Sequence, residues 1–244
     1  MNTLAPINLI EETNFSNSWV KLGRFCFKYG KSVVFGDRKD PKKAKDSTQL
    51  VSLTGNAIKE VENREIHPKN PFKSIGPYCT EYTREFLKEY LLKPDEQKFS
   101  YLYFERLVNY DCGQEGGIID QLTIMRNQLA EQIESGVMSN RCQAITWYAD
   151  QDSYSNSPPC LQFLQVRYIG NSQVDIHDHF RSRDWIAWQS NLIAIIDCLN
   201  REVIKPNNCK IARIVDYSDS LHIYDNMQNV VEGVKFVPIT QWRG

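Results

Sequence analysis

Cys160 follows Pro158 and Pro159 and opens the alternating run CLQFLQVRYI (160–169), which holds a thiol at the entrance of a strand. A thiolate attacks electrophilic carbon and a thiol does not, so such a nucleophile needs positive charge or hydrogen-bond donors close by. Three stretches could supply them. FRSRDW (180–185) carries Arg181, Ser182, Arg183 and Asp184 at the end of what should be a neighbouring strand. WQSN (188–191) places Asn191 one turn into a helix, where an amide can read a ring edge through one donor and one acceptor. LHIY (221–224) sets His222 and Tyr224 two apart on an extended segment, hence on one side of it. Each has a plainer reading: a cysteine at a strand start is a small hydrophobe, paired arginines make surface ion pairs, and a His and Tyr pair is a satisfied polar edge.

Other chemistries fit less well. HDH (177–179) puts two imidazoles on one strand face with Asp178 on the other and no third ligand, so no metal site is expected. A cysteine hydrolase would need a histidine base for Cys160, and none of His67, His177, His179 and His222 has a local context that assigns it that role. GQEGG (113–117) lacks the spacing of a dinucleotide or P-loop motif and reads as a loop.

The elements that must position these residues follow from periodicity. SNSWVKLGRFCFKY (16–29) predicts an amphipathic helix ended by Gly30, and 36–48 a charged, mobile loop. TQLVSLTGNAIKEVE (48–62) reads as a strand, and the proline-rich 66–77 as a connector. Helices are expected over 79–92, with Tyr82, Phe86, Leu87, Tyr90 and Leu91 on one face, and over 118–134. The period then changes: 141–149, 160–169 and 173–183 read as successive strands, followed by a buried helix, WQSNLIAIIDCLNREVI, and a last strand, KIARIVDYSDSLHIY. The pattern is α+β, a mixed β-sheet packed on a long buried helix.

Composition bounds the partners. The 244 residues suffice for one core, so a single domain over 1–244 is expected. With 29 Lys and Arg against 30 Asp and Glu, the net charge of -1 gives no general attraction for nucleic acid or anionic membrane. The apolar run LIAIIDCL is too short to span a bilayer, and the first residues lack a basic and apolar leader, so a soluble cytoplasmic chain is expected. Seven cysteines without CxxC spacing suit reduced thiols.

Taken in order, PPC with Gln162 and Gln165, RS.D, an asparagine on the following helix, and HIY resemble thymidylate synthase and its pyrimidine hydroxymethylase relatives. The resemblance extends to YLYFERLVNY (101–110), DQL (120–122) and SNRCQAITW (139–147), covers about 100–225 best, and is most like the short archaeal-type branch. It implies a thymidylate synthase-like fold dimerising through its sheet. It implies that Cys160 attacks C6 of a pyrimidine nucleotide, so that C5 can take a one-carbon unit from a 5,10-methylene-tetrahydrofolate or methylene-tetrahydromethanopterin-type donor. By motif position, Arg181 and Ser182 would hold the 5′-phosphate and Arg141 would reach the phosphate across the dimer. Asp184 would position the nucleophile, Asn191 would read the uracil edge, and His222 and Tyr224 would bind the sugar hydroxyl. Tyr103 would serve proton transfer with a glutamate, for which Glu81 ranks ahead of Glu85. The resemblance leaves open a methylated product, a hydroxymethylated one, or a non-catalytic nucleotide-binding descendant. The chain departs from the family pattern in several places. Asn140 precedes Arg141 where two arginines are usual, one residue is missing between Asp184 and Asn191, and Phe180 stands where bacterial members have glutamine. FVPITQWRG (236–244) is not recognisable as the closing tail of bacterial members.

Overall fold

The computed structural model describes residues 4–35, 41–73, 75–96, 101–113 and 116–236. The sequence readings for 36–40, for 114–115 within GQEGG, and for 237–244 of the terminal stretch therefore lie outside the described residues.

Strand β1 (Ile7–Glu12) leads into α1 (Phe15–Tyr29), where the side chain of Asn14 accepts from the Asn17 N–H at 2.7 Å and caps the first turn. The face Phe15, Trp19, Leu22 and Cys26 is fully buried, as the helical spacing predicts. Gly30 ends the helix through close approach, since a Cβ there would sit 2.2 Å from the Cys26 carbonyl oxygen. Next come β2 (Lys31–Phe35), β3 (Lys42–Thr54) and α2 (Asn56–Glu62). Two expectations are corrected here. Residues 42–48 belong to a strand instead of a loop, because β3 runs between β2 and the last strand and pairs with both. AIKEVE is helical, with Ala57, Ile58 and Val61 buried at helical spacing after Gly55, whose φ of 59° interrupts the strand.

The expected helix over 79–92 is two helices, α3 (Ile75–Thr80) and α4 (Arg84–Leu91). Thr83 separates them, its hydroxyl accepting from Phe86 N at 3.2 Å as the cap of α4, a local bond that competes with helix continuation. Short elements α5 (Tyr103–Val108), β4 (Tyr110–Asp111) and β5 (Ile118–Ile119) precede α6 (Gln121–Ser135). Asp120 caps α6 through Thr123 N at 2.9 Å, and Gly136 closes it with φ 69°. The strand expected over 141–149 shortens to β6 (Gln143–Ile145), because Asp152 accepts from Tyr148 N at 2.6 Å and turns the chain into α7 (Ala149–Asp152).

The second half follows the sequence more closely, although the strand expected over 173–183 ends at Phe180, where the chain bends at Arg181 and Ser182. Strands β7 (Leu161–Gly170) and β8 (Gln173–Phe180) form a hairpin through Asn171 and Ser172, both left-handed. A two-residue strand β9 (Arg183–Asp184) precedes α8 (Trp188–Leu199), then β10 (Lys210–Tyr224) and α9 (Gln228–Gly233). The main sheet runs β1-β3-β10-β8-β7-β6, with β2 beside β3 and β9 beside β10, and mixes parallel with antiparallel pairs. Helix α8 is buried around most of its circumference, through Leu192, Ile193, Ala194, Ile195, Ile196, Cys198 and Leu199. The architecture is α+β. Among the described residues no helix is long and apolar enough to cross a membrane.

Candidate active site

The site is built where β7 begins, β8 ends and β10 approaches its own end. Cys160 is half-buried at the mouth of β7. Phe180 at the end of β8 faces Leu161, and the chain then bends through Arg181 and Ser182, so that Arg181 N donates to the Cys160 carbonyl at 2.9 Å. The Arg181 guanidinium donates to the carbonyls of Pro159 at 2.9 Å and Pro158 at 2.7 Å, which leaves Nη2 3.9 Å from Cys160 Sγ. The two prolines matter twice: they offer no N–H of their own, and their carbonyls anchor the cation beside the sulfur.

Tyr103 closes the other side. Its phenol oxygen accepts from Cys160 N at 3.1 Å and Leu161 N at 3.3 Å. Burial, then the neighbouring Cys160 and Tyr101, push this phenol far above the ordinary tyrosine range, so it stays protonated and can donate. Next to it lies a cavity of about 300 Å³ lined by Tyr78, Glu81, Tyr82, Tyr101, Tyr103 and Ser157. Glu81 is raised by desolvation, with no opposing partner among the causes, whereas Glu85 is exposed on α4. Glu81 thus lines the cavity beside Tyr103, and Glu85 does not.

Asp184 and His222 are partners in the β9 and β10 register, and Asp184 Oδ1 accepts from Ile186 N at 3.1 Å. Burial raises the Asp184 carboxyl to about 6 and lowers the His222 imidazole to about 4. The His222 and Tyr224 rings meet edge-on at 4.9 Å, and Tyr224 is raised by burial and by the charges of Asp184 and Cys160.

Cys160, Arg181, Tyr103 and, through the cavity, Glu81 therefore cluster, with Asp184, His222 and Tyr224 on the adjoining strands. Ser182 is half-buried at the bend. Asn191 lies in the first turn of α8, where its amide donates back to the Ala187 carbonyl at 2.9 Å. Arg141 stands apart. It is exposed, its Nε donates to Ser139 Oγ at 3.2 Å, and the alternation of burial from 141 to 146 sends it to the outer sheet face with Gln143 and Ile145. Among the described residues no group of acidic, histidine or cysteine side chains could hold a metal ion.

Sequence reasoning passed over Tyr78 and the buried bidentate pair Arg106 and Asp152, at 2.9 and 3.1 Å. Tyr78 falls between the connector read over 66–77 and the helix read over 79–92, and an Arg–Asp pair 46 residues apart has no local signature.

An α+β chain thus gathers a strand-entrance thiol, a guanidinium and buried phenols at one end of its sheet. Its likeness to known proteins is more particular. No family model matches the chain. It is 26% identical over 235 residues to a protein of Methanosarcina mazei named "Putative thymidylate synthase", covering 93% of this chain and 95% of that one. Proteins of the same name in Methanosarcina barkeri (28% over 189 residues, 74% of this chain and 82% of that one) and Methanopyrus kandleri (27% over 174 residues, 69% and 78%) are also similar. The chain is thus similar, over most of its length, to proteins named putative thymidylate synthase.

Proposed function

We propose that this protein methylates a pyrimidine nucleotide at C5, converting dUMP to dTMP through a covalent Cys160 adduct at C6. The observation that carries the reading is the placement of Arg181 3.9 Å from Cys160 Sγ, with Tyr103 bound to the N–H groups of residues 160 and 161. A cation beside the sulfur favours the attacking anion, and addition at C6 makes C5 nucleophilic. In this reading Arg181 and Ser182 at the bend take the 5′-phosphate by charge-assisted hydrogen bonds. His222 and Tyr224 share one side of β10 and take the sugar hydroxyl, and Asp184 supports the base and the nucleophile. Asn191 reads N3 and O4 of uracil once its amide leaves the Ala187 carbonyl.

The one-carbon donor is a methylene-tetrahydrofolate or methylene-tetrahydromethanopterin-type pterin, which supplies both a carbon and a hydride. The aromatic walls of the cavity and the unpaired carboxylate of Glu81 fit a flat, N–H-bearing ring. Tyr103 and Glu81, both held protonated more readily than usual, hold and return protons near C5.

Mass spectrometry of products from dUMP, dCMP, UMP and CMP, each with a methylene-pterin, tests the proposal. Methylated dUMP with dihydropterin, abolished in Cys160→Ser while dUMP still binds, is the expected result. A hydroxymethylated product with tetrahydropterin retained would assign water capture instead. Tight nucleotide binding without product would make the chain a non-catalytic descendant.

A further inference from the structure

Arg183 lies between two residues of the proposed site, yet its own side chain turns into the core, where it is 3% exposed. Its guanidinium rests 3.8 Å over the Phe180 ring, and Nη1 pairs with Asp216 and lies 3.5 Å from Asp178. Nη2 donates to the Trp188 carbonyl at 3.4 Å, while Trp188 Nε1 donates to Asp216 Oδ1 at 2.9 Å. Asp178 and Asp216 face each other across β8 and β10 and are both buried. Burial and the neighbouring Asp216 raise Asp178 well above the usual carboxylate range. One fork thus ties together β8, β10 and the start of α8.

A buried ion pair contributes little net stability, because desolvation offsets the attraction. What it supplies is direction, through bonds that tolerate one geometry. Here that geometry governs four consecutive residues. Arg181 reaches the carbonyls before Cys160, Ser182 forms the bend, Arg183 enters the core, and Asp184 pairs in register with His222. We propose that Arg183 is a positioning residue whose fork onto Asp178, Asp216 and Trp188 sets the 181–184 bend, holding Arg181 on the Cys160 strand and Asp184 on the His222 strand. The inference rests on the function proposed above for its consequence in nucleotide binding, but not for its geometry.

The test compares Arg183→Lys and the charge-balanced Arg183→Met/Asp216→Asn with the unaltered protein. Three readouts are taken: cooperative urea unfolding, iodoacetamide labelling of each cysteine resolved by peptide mass spectrometry at neutral pH, and dUMP affinity by calorimetry. Lysine keeps the charge but cannot fork, so a mere need for charge in the core predicts unchanged Cys160 labelling in Arg183→Lys. Positioning predicts labelling of Cys160 about tenfold slower as the guanidinium of Arg181 drifts from the sulfur, and dUMP bound about tenfold more weakly. The buried Cys26, Cys142 and Cys198 stay protected in that case. Unchanged Cys160 labelling in a folded variant, or parallel labelling of the buried thiols, overturns the proposal. If the double variant does not fold, Arg183→Lys decides alone. If the unaltered protein does not bind dUMP, the proposed function fails while the labelling comparison still judges Arg183.

Discussion

At the scale of single residues, Asp184 and His222 make an opposed pair. Asp184, raised to about 6 from 3.8, stabilises the fold fully below its unfolded value, and this contribution is lost as the pH rises through about 6. His222, lowered to about 4 from 6.5, contributes stability above its unfolded value, and this is lost as the pH falls toward about 4. Between pH 4 and 6 the two slopes cancel. His222→Asn should therefore expose a stability that declines from pH 4 to 6 by about 2–3 kcal/mol relative to the unaltered protein, and Asp184→Asn a rise of similar size. Urea unfolding at four pH values reads both slopes, and parallel curves for all three proteins would refute the opposition. None of this was legible in the sequence. LHIY and RSRD announced their polar residues, but the register that sets Asp184 beside His222, and the depth that shifts both, arise from pairing across 38 residues of chain.

Elements explain why the bend stays in place, and here the sequence was a better guide. The period of SNSWVKLGRFCFKY (16–29) marked α1, and the largely apolar circumference of WQSNLIAIIDCLNREVI marked α8, because both faces are set by local period. What the period could not show is how α1 meets the segment after Asp184. Trp19 and Trp185 stack at 4.1 Å and exchange hydrogen bonds, each indole N–H donating to the other's carbonyl at 2.9 and 2.8 Å. Gly23 lets them do so, since a Cβ there would lie 2.5 Å from the Trp185 ring. Gly23→Ala should cost about 2 kcal/mol through overpacking, read as a lower urea midpoint at unchanged slope. Because Trp185 follows Asp184 directly, dUMP affinity should fall as well. An alanine variant as stable as the parent would mean that α1 can slide to accommodate the methyl. Where the sequence misled, at 42–48 and 56–62, tertiary pairing overrode charge in one case and one left-handed glycine turned the chain in the other.

At the scale of the whole molecule, the two faces of the sheet differ. The inner face packs Val51, Ile214, Ile176 and Leu164 with α8, whereas Ile7 and Leu9 of β1 stand 75% and 65% exposed on the outer one. Arg141 projects from that same outer face, remote from any bond to Cys160 in its own chain. Proposed pairing of two copies through this face would bury the apolar residues and carry Arg141 to the second copy's phosphate. A two-fold axis then makes each site depend on both chains. Chains carrying Cys160→Ser lack the nucleophile, and chains carrying Arg141→Ala lack the shared cation, so each homodimer should be inactive or strongly impaired. Unfolded together at equal amounts and refolded, half of the dimers are mixed, and each mixed dimer holds one site with both groups intact. Activity should return to about one quarter of the parent level if the cross-subunit assignment holds. No recovery, with a monomer by light scattering, would overturn the cross-subunit assignment. Full activity in Arg141→Ala alone would place Arg141 outside catalysis, and the outer face would then need another explanation for its exposed isoleucine and leucine.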